Sequence, residues 1–380
     1  MNPLQYFTIG YRPEFLFIGI ILGVIFGIYA YFRVRYALKD SEMSKNKKLT
    51  INLIIPILTF IICSFNIRSF VSILTLYLIL SSIIADIIKI IWKYLLKGKH
   101  LNFISKFHKN GIIAIIIFAA IIISGVYGMN HIEPTEYNIT TDKIDNNSYK
   151  IVWVSDIHYG TVQNPQLVKD SISKINDLKP DIVVLGGDIV DERTSKEGME
   201  EIFNQLGQIN STYGTYFIFG NHDTQPSKTA LEGGNRTYSD EELNNTIKNN
   251  EIEILKDEKV TINDDVVLVG RCDAKLEMIN RTNISSILND SDLSKYIVVL
   301  DHQPIESENN SKQGADLQIS GHTHGGQLFP VSLIEKMKGM LVYGEFQFGD
   351  MKQIVSSGLT GWGWLLRNEA KCEYVIININ

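Results

Sequence analysis

Two hydrophobic patterns divide this chain. Before residue 130, apolar residues come in four long, nearly unbroken runs, at 15–32, 49–65, 70–92 and 111–129. Each approaches the ~20 residues that carry a helix across a bilayer. The pattern therefore predicts an all-α bundle of about four transmembrane helices. After residue 130 the runs shorten to strand length, at 150–155, 181–185, 216–219, 297–300 and 317–320. Between the early ones lie helical stretches. Asn164 and Pro165 read as a cap and a first helical residue opening a helix to about Leu178, and Pro180 stops it. Further helices are expected at 197–209 and 241–250. The continuous Ile and Val of 181–185 suit a strand buried on both faces, as in parallel sheets. Residues 252–273 alternate in short pieces, as hairpin strands do. A short helix at 331–337 and strands at 353–356 and 373–377 complete an α/β half.

Charge orients the first half. Arg33, Arg35, Lys39, Lys45, Lys47 and Lys48 follow the first run, and Lys93, Lys97, Lys99, Lys106 and Lys109 follow the third. The loop after the second run holds only Arg68, and no Lys or Arg follows the fourth until Lys143. Basic loops stay in the cytoplasm. Four crossings then put the second half on the outer face of the cell membrane. The first run has no basic residues of a signal-peptide kind before it and no small-residue cleavage pattern after it, so it reads as a retained helix. Asp86 and Lys89 in the third run would be costly against lipid. Either they face a helix neighbour or they sit near the inner end with Lys89 reaching the headgroups; the second is expected, and the runs are read as carrying no inward polar cluster of a transporter.

These patterns predict a membrane region over 1–132, a linker and first strand over 133–149, and an enzyme-sized domain over 150–380. Hydrophobic residues make up 45% of the chain, which the apolar first half accounts for. The net charge of −6 and the lack of a basic-aromatic tract argue against nucleic acid as a partner. The three cysteines show no metal-ligand spacing.

Candidate chemistry lies at strand ends. Five motifs follow apolar runs in order: Asp156-Ile157-His158, Gly187-Asp188, Gly220-Asn221-His222-Asp223, Asp301-His302 and Gly321-His322-Thr323-His324. They offer oxygen and imidazole ligands suited to two adjacent divalent metals, of the Mn, Fe or Zn type rather than Ca or Mg. Any one of these motifs alone is weak, since a lone Asp at a strand end is usually a turn residue and a lone His is usually structural. The ordered set is specific.

The set resembles the calcineurin-like metallophosphoesterase family, whose pattern is D-x-H, G-D, G-N-H-[DE], H and G-H-x-H. The resemblance extends to Gly325-Gly326-Gln327, Tyr343-Gly344, Val355-Ser356-Ser357-Gly358 and Arg367. It implies a two-sheet α/β/β/α sandwich. It implies that Asp156, His158, Asp188 and His324 hold one metal, and that Asp188, Asn221, His302 and His322 hold the other, with Asp188 bridging. It makes His222 the histidine that protonates or stabilises the leaving oxygen, and gives Asp191 the task of orienting it. Asp223 and Asp301 are expected as supporting hydrogen-bond acceptors. The Trp362 and Trp364 pair departs from the family's pattern.

The expected activity is hydrolysis of phosphodiesters or phosphomonoesters by metal-bound hydroxide. An outward, membrane-anchored placement points to envelope or lipid-linked phosphoesters as substrate and to membrane lipid as a partner; oligomeric state is left open. The rival readings are a non-catalytic metal-binding module for an envelope partner, a transporter or sensor carrying the enzyme as an appendage, and, were the third run not to cross, a cytoplasm-facing nucleotide phosphodiesterase.

Overall fold

Among the described residues, four helices are long and apolar enough to cross a membrane: α1 (Leu16–Ala37), α2 (Lys45–Phe65), α3 (Phe70–Leu95) and, after the short α4 (Leu101–Lys109), α5 (Ile112–Met129). The computed structural model describes residues 15–95, 101–144, 147–161, 164–226, 235–277, 281–288 and 293–380. It divides into two units, Met1–Ser124 and Gly125–Asn380.

In the first unit α1 presents Gly19, Gly23 and Gly27 to α2. A Cβ on Gly23 would come within 2.9 Å of the Phe60 carbonyl oxygen. Small residues at this spacing let helices approach closely where lipid offers no hydrophobic drive. Helix α2 starts earlier than the apolar run, at Lys45, because the Ser44 side chain accepts the Lys47 amide and caps it. The placement expected for Asp86 is corrected. Its carboxylate faces neighbouring helices, accepting the Tyr29 hydroxyl at 2.7 Å and lying 2.5 Å from His108 Nε2. Lys89 likewise turns to a neighbour, donating to the Tyr36 hydroxyl at 2.8 Å. An inward polar cluster therefore exists. The hydropathy pattern missed it because Tyr29, Tyr36 and His108 come from other helices.

The second unit holds two six-stranded sheets. One runs β1 (Ile132–Ile139), β12 (Cys372–Ile379), β2 (Tyr149–Val154), β3 (Ile182–Leu185), β4 (Thr215–Phe217), β5 (Ile252–Ile254). The other runs β10 (Gly344–Phe348), β11 (Met351–Val355), β9 (Leu317–Ser320), β8 (Tyr296–Leu300), β7 (Val266–Gly270), β6 (Glu258–Ile262). Most pairs are parallel; β12 with β2, β10 with β11 and β6 with β7 are antiparallel. Side chains alternate between layers. Ile151 and Trp153 of β2 enter the core between the sheets with Val266 and Leu268 of β7. Val152 and Val154 point the other way, onto α6 (Pro165–Asp177), α7 (Lys196–Leu206) and α8 (Asp240–Asn249) through Val168, Phe203 and Ile247. Val267 and Val269 face a third core holding Ile284 and Leu288. The result is an α/β/β/α sandwich. Two readings shift. Residues 132–139 form a full edge strand paired in parallel with β12, more than a tether with a short strand. The last turn of α5 belongs to this unit, where the Gly125 carbonyl accepts the Arg367 amide at 2.9 Å.

Candidate active site

The site forms where the two sheets present the carboxyl ends of their parallel strands. Asp156 follows β2, Asp188 follows β3, Asn221 lies in the turn after β4, His302 follows β8, and His322 and His324 follow β9. Open parallel sheets build their sites at these ends. The backbone there is unusual. Asp156 (φ 55), His158 (φ 47), Asp188 (φ 53), His322 (φ 71) and His324 (φ 50) all lie in the left-handed region. Such conformations cost of order 1–3 kcal/mol each for non-glycine residues and gather at functional sites. Here they are held by ordered amides: Asp156 N–H donates to the Gly187 carbonyl and His158 N–H to the Asp188 carbonyl, each at 3.0 Å. Gly187 is required as glycine, because its φ is +84 and a Cβ would meet Gly220 N at 2.4 Å.

Two groups of side chains can each hold a metal ion: Asp156, His158 and His324, and Asp188, His302 and His322. Within each group the ligand atoms lie within 4.8 Å of one another. The groups meet at Asp188, whose Oδ2 is 3.6 Å from His158 Nε2 and 3.1 Å from His302 Nε2. His158 and His324 point Nε2 at each other across 3.2 Å. Asn221 is buried with neither side-chain oxygen nor nitrogen hydrogen-bonded. Buried polar atoms without partners are costly, and a cation relieves both the paired imidazole nitrogens and the Asn221 oxygen. The seven residues thus fit divalent ions.

Electrostatics divide the ligand histidines: although burial opposes its charge, Asp188 holds His302 well above the usual imidazole range, whereas His322 and His324 are held low. Burial, followed by the His302 charge, pushes His322 down to about 3, and burial with Arg367 pushes His324 to about 3. Both are therefore neutral imidazoles near neutral pH, the form that binds metal. Burial opposes ionisation of Asp188, yet His302 and His222 hold it well below the usual carboxylate range. Burial raises Asp156 to about 6 against the pull of His302.

Around this centre a buried frame fixes the loops. Asp223 accepts the amides of Asp188, Ile189, Val190 and Gly220 at 2.7 to 3.2 Å, locking the Gly-Asp loop to the Gly-Asn-His turn. Asp301 pairs with Arg281. Both carboxylates act as supports, as the motifs suggested. His302 Nδ1 donates to the Gly186 carbonyl at 2.8 Å, which leaves Nε2 for the centre. Arg367, 1% exposed, donates to the carbonyls of Thr360 (2.7 Å), His324 (2.8 Å), Ala370 (2.7 Å) and Ser357. Gln327 holds the 361–368 loop, accepting the Trp362 amide at 3.0 Å and donating to the Leu366 carbonyl at 3.2 Å.

His222 sits beside the ligands. Its amide donates to Asp188 Oδ1 at 2.8 Å, and its ring packs against His158 at 5.3 Å between centroids. Although burial opposes its charge, Asp188 and Glu192 raise His222 to about 9. The orienting carboxylate is Glu192, whose Oε2 lies 2.7 Å from His222 Nδ1. This corrects the assignment of that task to Asp191. Asp191 Oδ1 is taken by the Arg193 amide at 2.9 Å, and its Oδ2 lies 3.7 Å from His158 Nδ1. The signal available in the sequence was two adjacent acids, and only the loop conformation selects between them. Trp362 lies over His222 with centroids 5.5 Å apart and inclined at 32°, so the unexpected tryptophan forms a wall at His222.

A mixed-sheet sandwich with this centre defines a class. Residues 149–326, within the second unit, match the family model of calcineurin-like phosphoesterases. An uncharacterized metallophosphoesterase of Campylobacter jejuni is 32% identical over 232 residues, covering 60% of this chain and 59% of that protein. A transmembrane protein with metallophosphoesterase domain from Danio rerio is 27% identical, covering 66% of this chain and 58% of that protein. A solved dimetal phosphatase from Danio rerio shares 13% identity with a TM-score of 0.35, over 55% of this chain and 87% of its own. The chain spans about three fifths of the length of the curated relatives it matches.

Proposed function

We propose that this protein is a membrane-anchored phosphoesterase that uses two transition metal ions to hydrolyse phosphodiesters or phosphomonoesters at the outer face of the membrane. The observation that carries the reading is the sharing of Asp188 Oδ2 between His158 of one ligand group and His302 of the other. Asp156, His158, Asp188 and His324 would hold one ion, and Asp188, Asn221, His302 and His322 the second. Two divalent ions bound there supply Lewis-acid charge for a phosphate and a nucleophilic water at neutral pH.

The chain's own residues do the rest. Protonated His222 stands ready to donate its Nε2 proton to the departing ester oxygen. Glu192 accepts from Nδ1, which fixes the ring and sustains its positive charge. Trp362 packs on one side of His222 and limits water there. Asn221 contributes a neutral oxygen, which keeps the centre attractive to an anion. Envelope phosphoesters, including lipid-linked ones, are the proposed substrates, on the strength of the basic loops that argue for an outward domain.

The test is metal analysis joined to one variant. Protein purified without chelator should carry about two transition metal ions per chain, as two-metal sites do. His222→Ala should keep them and slow hydrolysis of bis(4-nitrophenyl) phosphate by roughly 10²–10⁴-fold, the usual scale of acid–base catalysis. Full activity with less than one ion per chain would end the dinuclear reading.

A further inference from the structure

Beyond Met129, the large apolar side chains exposed among the described residues are Leu293, Phe329, Leu333, Ile334, Met337 and Met340. Five of these six fall between 329 and 340. Single exposed hydrophobics are ordinary, but a contiguous patch marks a contact surface. The patch centres on α9 (Val331–Met337), which buries none of its residues. Leu333, Ile334 and Met337 stand one and four positions apart, so they share one face. Met337 is 80% exposed. Lys336 and Lys338, also exposed, flank that face.

This segment is fixed to the fold. The Phe329 amide donates to Asn368 Oδ1 at 2.9 Å. The Ser332 amide and hydroxyl donate to Glu369 at 2.8 and 2.7 Å. The loop that anchors it, 361–369, also takes the last turn of α5. A Cβ on Gly128 would meet the Arg367 carbonyl oxygen at 2.3 Å, and one on Gly125 would meet Leu366 at 3.2 Å. Helix α5 is long and apolar enough to cross a bilayer, and on the membrane-anchored reading its final turn is where the chain leaves the hydrocarbon. The apolar patch and the membrane exit are thus fastened to one loop within one unit. Next to Trp362, which covers His222, that loop carries Trp364, a half-buried aromatic of the kind that settles at headgroup level.

We propose that the Phe329–Met340 face lies in the headgroup boundary of the same bilayer that α5 crosses. Leu333, Ile334 and Met337 enter the acyl margin, and Lys336 and Lys338 meet anionic headgroups. A seven-residue helix would bind lipid poorly alone, but the span holds it at high effective concentration. The segment directly follows the His322–Gly326 turn, so the contact sets the rim of the ligand site against the lipid surface. This rests on the membrane-anchored reading above and narrows its substrate class to phosphoesters borne on lipid, approached from the bilayer surface.

The test uses the full chain in nanodiscs of phosphatidylethanolamine and phosphatidylglycerol, with Cys63, Cys272 and Cys372 replaced by Ala. An environment-sensitive fluorophore is placed at Met337→Cys, or at Lys169→Cys on α6. The expected result is a blue-shifted emission at 337, quenched several-fold more strongly by lipid spin-labelled near the headgroup than the label at 169. In Leu333→Ser with a label at Met340→Cys, quenching should fall while hydrolysis of soluble bis(4-nitrophenyl) phosphate stays at the parent rate. Equal quenching at 337 and 169 overturns the proposal, as does quenching at 340 that Leu333→Ser leaves unchanged. Strong quenching in a protein that cleaves no ester supports the membrane contact and counts against the catalytic reading instead.

Discussion

Glu192 Oε2 lies 2.7 Å from His222 Nδ1, while Asp191, one residue earlier, points its free oxygen toward His158. Two neighbouring acids therefore serve different histidines, one beside the ligand groups and one within them. Glu192→Gln should keep both metals and lower turnover roughly 10–100-fold, as loss of an orienting partner does. The deficit should shrink for esters with good leaving groups, which need less proton donation. Asp191→Asn should leave that leaving-group dependence unaltered and weaken metal retention instead. A series of aryl phosphates assayed with both variants separates the two, and matching slopes would overturn the division of roles.

Asp188→Asn should abolish retention of at least one ion, because the carboxylate faces both ligand groups. Elemental analysis after gel filtration reads this directly. Circular dichroism should change little, since Asp223 holds the amides of Asp188, Ile189, Val190 and Gly220, and an asparagine Oδ1 can still accept the His222 amide. Unchanged metal content would move the bridge elsewhere.

Arg367→Met should destabilise the second unit by roughly 2–4 kcal/mol, since it strands several buried carbonyls at about 1–3 kcal/mol for a group left unsatisfied. Chemical denaturation checks this. A loss below half a kcal/mol, far under that range, would show that water replaces the guanidinium.

Topology can be read by labelling in a cysteine-free background. Ser148→Cys should react with a membrane-impermeant maleimide on intact cells freed of any outer barrier, and Ser44→Cys only after lysis. The opposite pattern would place the ligand site in the cytoplasm and favour nucleotides as substrates.

Much of the site is legible in the sequence because ligation needs particular side chains at strand ends, and strand ends are marked by short apolar runs meeting Gly, Asp and His. The β3 run Ile182–Leu185 feeding Gly187-Asp188 is an example. Contacts made between distant segments are not legible that way. Periodicity carries no trace of Tyr29 meeting Asp86, or of Trp362 covering His222. Glu192 was obscured for another reason: its side-chain direction depends on a loop turn closed by Thr194, whose amide donates to the Asp191 carbonyl at 3.0 Å. Two adjacent acids look alike until that turn is known.

The pairing of β1 with β12 has a consequence for how the protein is made. Strand β12 lies between β1 and β2 in the first sheet, so the earliest strands of the second unit have no shared neighbour until residues 372–379 exist. Emerging from the ribosome in order, β1 and β2 must wait through more than two hundred residues of synthesis before the strand that joins them arrives. The ligand loop at Asp156, which follows β2, takes its final support from Gly358 and Leu359, which arrive nearly as late. The ligand residues after β2 therefore reach their final setting only once β12 has formed, and deleting a few residues within 372–379 would unfasten the sheet rather than trim its edge.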